Sequence, residues 1–192
     1  MIDSEDVYIV NYCHPYCQPF SNICRLPREE AFALACKMAE NNPDTTAFGR
    51  FADFENYYPR RMKTDACLYR LFVSLGGKPK EKHPLSFVLH GSEFLNKWFG
   101  YGVASKLRLK DIPPESVSFT LGDSMAIFQS NDKGTVERNG EATMYTKERM
   151  VNILNAYDGT MDDFMREVRE KHNYIEAQLW CDDCCGERPN NG

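Results

Sequence analysis

The chain has 192 residues, 42% hydrophobic and 27% charged, with a formal net charge of −5; this is a globular composition and excludes a disordered or fibrous chain. Its length suits one domain that buries a core without disulfide support. Met1 to Asp6 are acidic where a secretory signal is basic, and no apolar run approaches the ~18 residues of a bilayer-spanning helix, so the sequence predicts a cytoplasmic protein with no membrane partner.

Tyr8 to Val10 reads as a short strand, and Pro15 and Pro19 break any helix through 11–24. Pro27 suits the first turn of a helix whose stripe is Ala31, Phe32, Leu34, Ala35, Met38 and Ala39, ending at Asn41-Asn42-Pro43. Pro59 is expected to start a second helix with Met62, Ala66, Tyr69, Phe72 and Val73 on its buried face. Arg60, Arg61, Lys63 and Arg70 take the opposite face, and Gly76-Gly77 supplies the cap. Leu85 to Leu89 reads as a strand, Ser92 caps a short helix over 93–99, and Val103 to Leu109 and Val117 to Leu121 read as further strands. Met125 to Phe128 and Thr143 to Tyr145 resemble a strand pair joined through Gly134 and Gly140. Thr146 caps a helix with Met150, Ile153, Leu154 and Tyr157. Thr160 with Asp163 forms a capping box before Phe164, Met165 and Val168, and Tyr174 to Trp180 is a final strand. The order predicts an α+β fold: a single domain over residues 1–185, with a mixed or antiparallel sheet flanked by N-terminal and C-terminal helices, and a disordered tail over 186–192.

Charge is unevenly spread. Residues 1–55 hold 4 Lys/Arg against 9 Asp/Glu, residues 56–110 hold 11 against 3, and residues 111–192 hold 8 against 16. Such a chain can present a charge-polarised surface that steers a charged partner, unless folding interleaves the signs.

The eight cysteines read as free thiols or metal ligands in a reducing compartment. Cys181 and Cys184 have the two-residue gap of a zinc knuckle, and Cys13 with Cys17 could complete a tetrahedral zinc site joining the termini. Cys36 and Cys67 fall in helical patterns and read as packing residues.

His90-Gly91-Ser92 at a strand end, Ser118-Phe119-Thr120 on a later strand and Glu176-Ala177-Gln178 on the last form a second constellation. In these short pieces the chain resembles the ADP-ribosyltransferases. The resemblance implies an NAD-using enzyme in which His90 and Ser118 grip nicotinamide and Glu176 stabilises the ribosyl cation. Tyr101 is much nearer to His90 than that family's aromatic normally falls. Without the resemblance, His90 is a strand-end polar residue and Glu176 a surface residue of an edge strand.

Phe48, Arg50, Phe51, Phe54, Tyr57, Tyr58, Arg60, Arg61 and Lys63, with Lys78, Lys80, Lys82 and His83, mix aromatic and basic residues in a way that suits a single-stranded nucleic-acid groove or a protein hot spot. No phosphate-cradling loop, nucleophile elbow or kinase signature is present. The leading expectation is therefore a non-catalytic binding or regulatory protein that docks on a larger protein or nucleoprotein. Inhibition of a nucleic-acid enzyme is one form of this, with Asp162, Asp163 and Glu167 of the acidic C-terminal third meeting a basic groove. The NAD-using transferase is the alternative and single-stranded nucleic-acid binding the third.

Overall fold

A computed structural model of the chain describes residues 2–128, 137–138 and 141–186. Glycines 134 and 140, and all but the first residue of the expected tail, lie outside them. The sheet has six strands, all antiparallel: β1 (Tyr8–Cys13), β2 (Leu85–Leu89), β3 (Val103–Arg108), β4 (Val117–Leu121), β7 (Tyr145–Thr146) and β8 (Ile175–Leu179), in the spatial order β3-β1-β2-β8-β4-β7. A separate two-residue pair, β5 (Glu137–Arg138) with β6 (Glu141–Ala142), precedes β7. The helices are α1 (Arg28–Asn41), α2 (Gly49–Ala52), α3 (Phe54–Ser74), α4 (Glu93–Trp98), α5 (Ser124–Ile127), α6 (Lys147–Ala156) and α7 (Met161–His172). This is the expected α+β architecture, and among the described residues no helix is long and apolar enough to cross a membrane.

Strand alternation sorts the sheet into two unlike faces. Ile9, Leu85, Phe87, Leu89, Val117, Phe119, Ile175, Ala177 and Leu179 form the apolar face, packed with Met150 and Leu154 of α6 and Met165 and Val168 of α7. The capping box of Thr160 and Asp163 starts α7 as expected. On the other face stand Ser86, Glu176, Gln178, Ser118 and Thr120, with Trp180 just beyond β8. Here α3 packs Leu68, Leu71 and Phe72 against Trp180. Outside α3, the Ala31 and Ala35 stripe of α1 meets Phe48, Phe51 and Phe54.

Three local expectations are corrected. First, α3 begins at Phe54, so Pro59 lies inside the helix. The Pro59 ring removes the bond its N–H would have given to Glu55, but the position is exposed, and Phe54 and Tyr58 anchor the early turn against Phe32. Second, the buried face of α3 is Arg61, Thr64, Asp65, Leu68, Leu71 and Phe72, whereas Ala66 and Val73 are exposed. Third, residues 124–127 are helical rather than extended, because Asp123 accepts the Met125 N–H and Glu176 accepts the Ser124 N–H, which fixes a helical start.

Candidate functional site

Between the sheet and α3 lies a buried polar layer, and Glu176 sits in it. β8 lies between β2 and β4, so Glu176 is interior and not the surface residue of an edge strand. Its carboxylate accepts the Ser86 hydroxyl at 3.2 Å and the Ser124 backbone N–H at 2.7 Å. Burial pushes its pKa above the ordinary glutamate value, and the nearby Arg61 charge opposes that rise. Beside it runs a closed relay on the same sheet face. Trp180 Nε1 donates to Ser118, Ser118 to Gln178, Gln178 to Thr120, and Thr120 to the Gly122 carbonyl, all within 2.9 to 3.1 Å. A relay so fully engaged orders the interior and leaves the Ser118 hydroxyl no free proton to offer a ligand.

His90 is placed apart from these two. The register sets Ser86, Gln178 and Ser118 in one row and Val88, Glu176 and Thr120 in the next. His90 lies two residues beyond Val88, four along the strand from the Ser118 row, or ~13 Å at 3.3 Å per residue. Its ring packs on Tyr8, with centroids 4.5 Å apart, and Nε2 stands 3.9 Å from exposed Asp162. Burial lowers its pKa. Two surface clefts lie elsewhere, and neither is lined by His90, Ser118 or Glu176. One, of about 490 Å³, lies between α1 and α2 beside Phe32 and Phe51. The other, of about 210 Å³, lies between α6 and α7 beside Ile153 and Phe164.

The thiols form two pairs. Cys13 and Cys17 interact across the turn closed by the Cys17 N–H on the His14 carbonyl, and Cys181 interacts with Cys184. β2 separates β1 from β8, which keeps the pairs two strand spacings apart, ~9.6 Å. Among the described residues no group of three or more His, Cys, Asp or Glu side chains could hold a metal ion, so the expected tetrad is not assembled here. Cys67 is buried as expected, but Cys36 is exposed.

The charged candidates are dispersed. Arg61, read from sequence as part of a solvated basic face, is buried. Its Nε lies 2.8 Å from Asp65, whose other oxygen meets His83 Nδ1 at 2.8 Å. Although burial works to lower the Arg61 pKa, the Asp65 carboxylate chiefly outweighs it, with Tyr57, Glu176 and Cys24 adding to the rise. Arg60 and Lys63 remain exposed, while Tyr57 and Tyr58 are half-buried among Phe51, Phe54 and Phe32. On α7 the acidic residues interleave with Arg166, Arg169 and Lys171. Asp163 accepts the Thr160 hydroxyl, pairs with Arg166 and accepts the Thr160 N–H, which together hold its pKa down to about 2, and Glu167 accepts the Tyr157 hydroxyl. Of the basic cluster, folding withdraws Arg61 from the surface, and on α7 the sequence itself interleaves the signs.

Exposed large apolar side chains, which sequence reasoning did not single out, stand on segments at one edge of the sheet. Tyr16, Phe94, Tyr101 and Val103 are between 45% and 81% exposed. Their segments approach one another for a local reason. Gly102 runs so close to β1 that a Cβ there would stand 2.1 Å from the Cys13 carbonyl oxygen, which draws the 100–103 segment onto the turn carrying Tyr16. Tyr101 adopts φ 53°, a left-handed conformation costly for any residue with a Cβ, and its N–H is tied to the Asn96 carbonyl at the end of α4. Val103 opens β3, one of the sheet's two edge strands, to whose outer side no described strand pairs.

The hydrogen-bond phase of β3 follows from one bond. Leu109 donates to the Val7 carbonyl, and Tyr8 faces Arg108, so Leu107, Ser105 and Val103 are the residues bonded to β1. Ala104, Lys106 and Arg108 therefore turn their backbone N–H and C=O groups outward. Lys106 Nζ lies 4.5 Å from the Tyr8 ring centroid, and Arg108 pairs with Asp111. No family model matches the chain, and neither a curated protein nor a solved structure matches it.

Proposed function

We propose that this protein is a non-catalytic docking module that takes up an extended segment of a partner protein along β3, with apolar or aromatic side chains of that segment seated on Tyr16, Phe94, Tyr101 and Val103. The observation that carries this reading is the coincidence of an open strand edge with exposed large apolar side chains on the segments at its first residue. Strand addition draws affinity from main-chain hydrogen bonds and specificity from alternate side chains. Lys106 and Arg108 on the docking strand favour a segment that carries acidic residues after its aromatic anchor. A long open edge is also an aggregation hazard, which proteins limit with charge such as these two side chains carry.

The test begins with selection of extended peptides from a displayed library on the immobilised protein. Ala104→Pro deletes one outward N–H while leaving every bond to β1 in place. Selected peptides should be acidic and aromatic, and should bind Ala104→Pro and Phe94→Ser/Tyr101→Ser at least tenfold more weakly, about 1.4 kcal/mol. Peptides that bind both variants as tightly as the wild type would remove β3 from the account.

A further inference from the structure

The turn after β1 brings two thiols together. Its His14 carbonyl oxygen accepts the Cys17 N–H at 2.9 Å and stands 3.5 Å from Cys13 Sγ, so both cysteines converge on one atom. Their side chains also hydrogen-bond each other. The two are unlike. Cys13 is buried and faces a carbonyl, which only accepts, so it keeps its proton. Cys17 is half-buried in irregular backbone between β1 and α1, with Sγ 3.8 Å from Met38 Sδ. The hydrogen bond with Cys13 chiefly lowers the Cys17 pKa and outweighs burial, and the Arg50 charge adds to the fall. Cys13 is raised by the same hydrogen bond and then by burial.

Other thiols lack this combination. Cys36 is exposed, but Glu40 accepts its thiol at 3.1 Å and pushes its pKa up. Burial pushes Cys24 up to about 12 and raises Cys184 beside Cys181. A partly accessible sulfur that ionises readily, next to a second thiol that holds its proton, is the arrangement in which a peroxide is reduced and a disulfide follows. We propose that Cys17 is a thiol reactive toward hydrogen peroxide and that Cys13 is its resolving partner. In the first step the Cys17 sulfur attacks one peroxide oxygen. An S–O bond forms, the O–O bond breaks, and the departing hydroxide takes the proton that Cys17 gave up, leaving as water. In the second step the Cys13 sulfur attacks the sulfur of the Cys17 sulfenic acid. The S–S bond forms, the S–O bond breaks, and a second water leaves with the Cys13 proton. Two electrons pass from the sulfur pair to the peroxide, and the product is a disulfide between Cys13 and Cys17. The site shares its turn with Tyr16 but needs no partner protein, so it stands or falls independently of docking at β3.

The experiment treats the fully reduced chain with equimolar hydrogen peroxide at neutral pH and follows it by intact mass and peptide mapping. The peptide that holds Cys13 and Cys17 should lose two hydrogens, and dithiothreitol should restore them. In Cys13→Ser, Cys17 should stop at the sulfenic acid, which dimedone captures. In Cys17→Ser, oxidation of Cys13 should slow about tenfold or more, because the readily ionised sulfur is gone. Circular dichroism checks that both variants fold, and one measurement needs neither of them. In the wild type, substoichiometric iodoacetamide should label Cys17 ahead of the more exposed Cys36. Three results would each overturn the pair: labelling of Cys36 ahead of Cys17, a first bridge between Cys181 and Cys184, or no loss of hydrogens from the peptide of Cys13 and Cys17.

Discussion

Replacing Arg61 by Met tests the buried polar layer at its centre. Asp65 is fully buried, and it meets Arg61 Nε and His83 Nδ1 at 2.8 Å each. Taking away the guanidinium leaves a carboxylate with one half-buried imidazole for a partner, and breaking a buried pair in this way costs about 3–5 kcal/mol. At roughly 2–4 °C per kcal/mol for a chain of this length, the melting temperature should fall by about 6–20 °C. Arg60→Met, one residue away on the exposed side, should change stability by less than about 0.5 kcal/mol. The double variant Arg61→Met/Asp65→Leu should recover much of the loss, since an apolar pair of similar volume can replace a buried ion pair. The assay is urea unfolding followed by far-ultraviolet circular dichroism, with the slope checked for constancy so that midpoints report stability. Arg61→Met indistinguishable from Arg60→Met would refute the buried pair and restore Arg61 to a solvated basic face.

Glu176 gives a pH test: its folded pKa is raised, so the folded state holds this proton more tightly than the unfolded state, and the charged form weighs against folding as pH rises through and above the ordinary value of 4.5. Glu176→Gln should therefore gain stability relative to wild type between pH 4 and pH 7 in urea midpoints, and a relative loss over that interval would contradict the burial. His90 has the opposite sign for its class: burial lowers its pKa, so its share of stability is present above the ordinary value of 6.5 and lost as pH falls through and below it. His90→Gln should flatten the wild-type stability profile on that acid side, and an unchanged profile would show that His90 is not desolvated. Because the thiols stand as two pairs, chelator should leave the melting temperature unchanged; a marked fall would mean that the pairs join on a metal.

The elements whose signals are local were legible in the sequence. Leu85 to Leu89 and Val117 to Leu121 are strands with the expected bounds, and Ser92, Thr146 and Thr160 cap helices through hydrogen bonds three residues ahead. Features set by distant partners were not. Arg61 reads as a surface cation because its counter-charges come from Asp65 one turn on, itself held by His83 in a loop, and from Glu176 on the last strand, and only the fold brings these together. Met125 to Phe128 has strand composition, yet Asp123 and the long-range acceptor Glu176 turn it into helix. Of the four residues at the docking edge, the sequence marks only Tyr101, as an aromatic close after His90, and Val103, as a strand start. Strand order decides which strand is an edge, and strand order is a tertiary property that periodicity does not encode.

The most direct measurement of the docking account is residue-resolved amide exchange by NMR on the free protein and on the protein saturated with a selected peptide. In the free protein, Ala104, Lys106 and Arg108 should exchange quickly because their N–H groups face outward, while Val103, Ser105, Leu107 and Leu109 should be protected by β1. On binding, the three outward amides should become protected together while the inward set changes little. Protection that instead arises on α7 or on the exposed side of α3, with Ala104, Lys106 and Arg108 still exchanging as in the free protein, would contradict docking at the β3 edge.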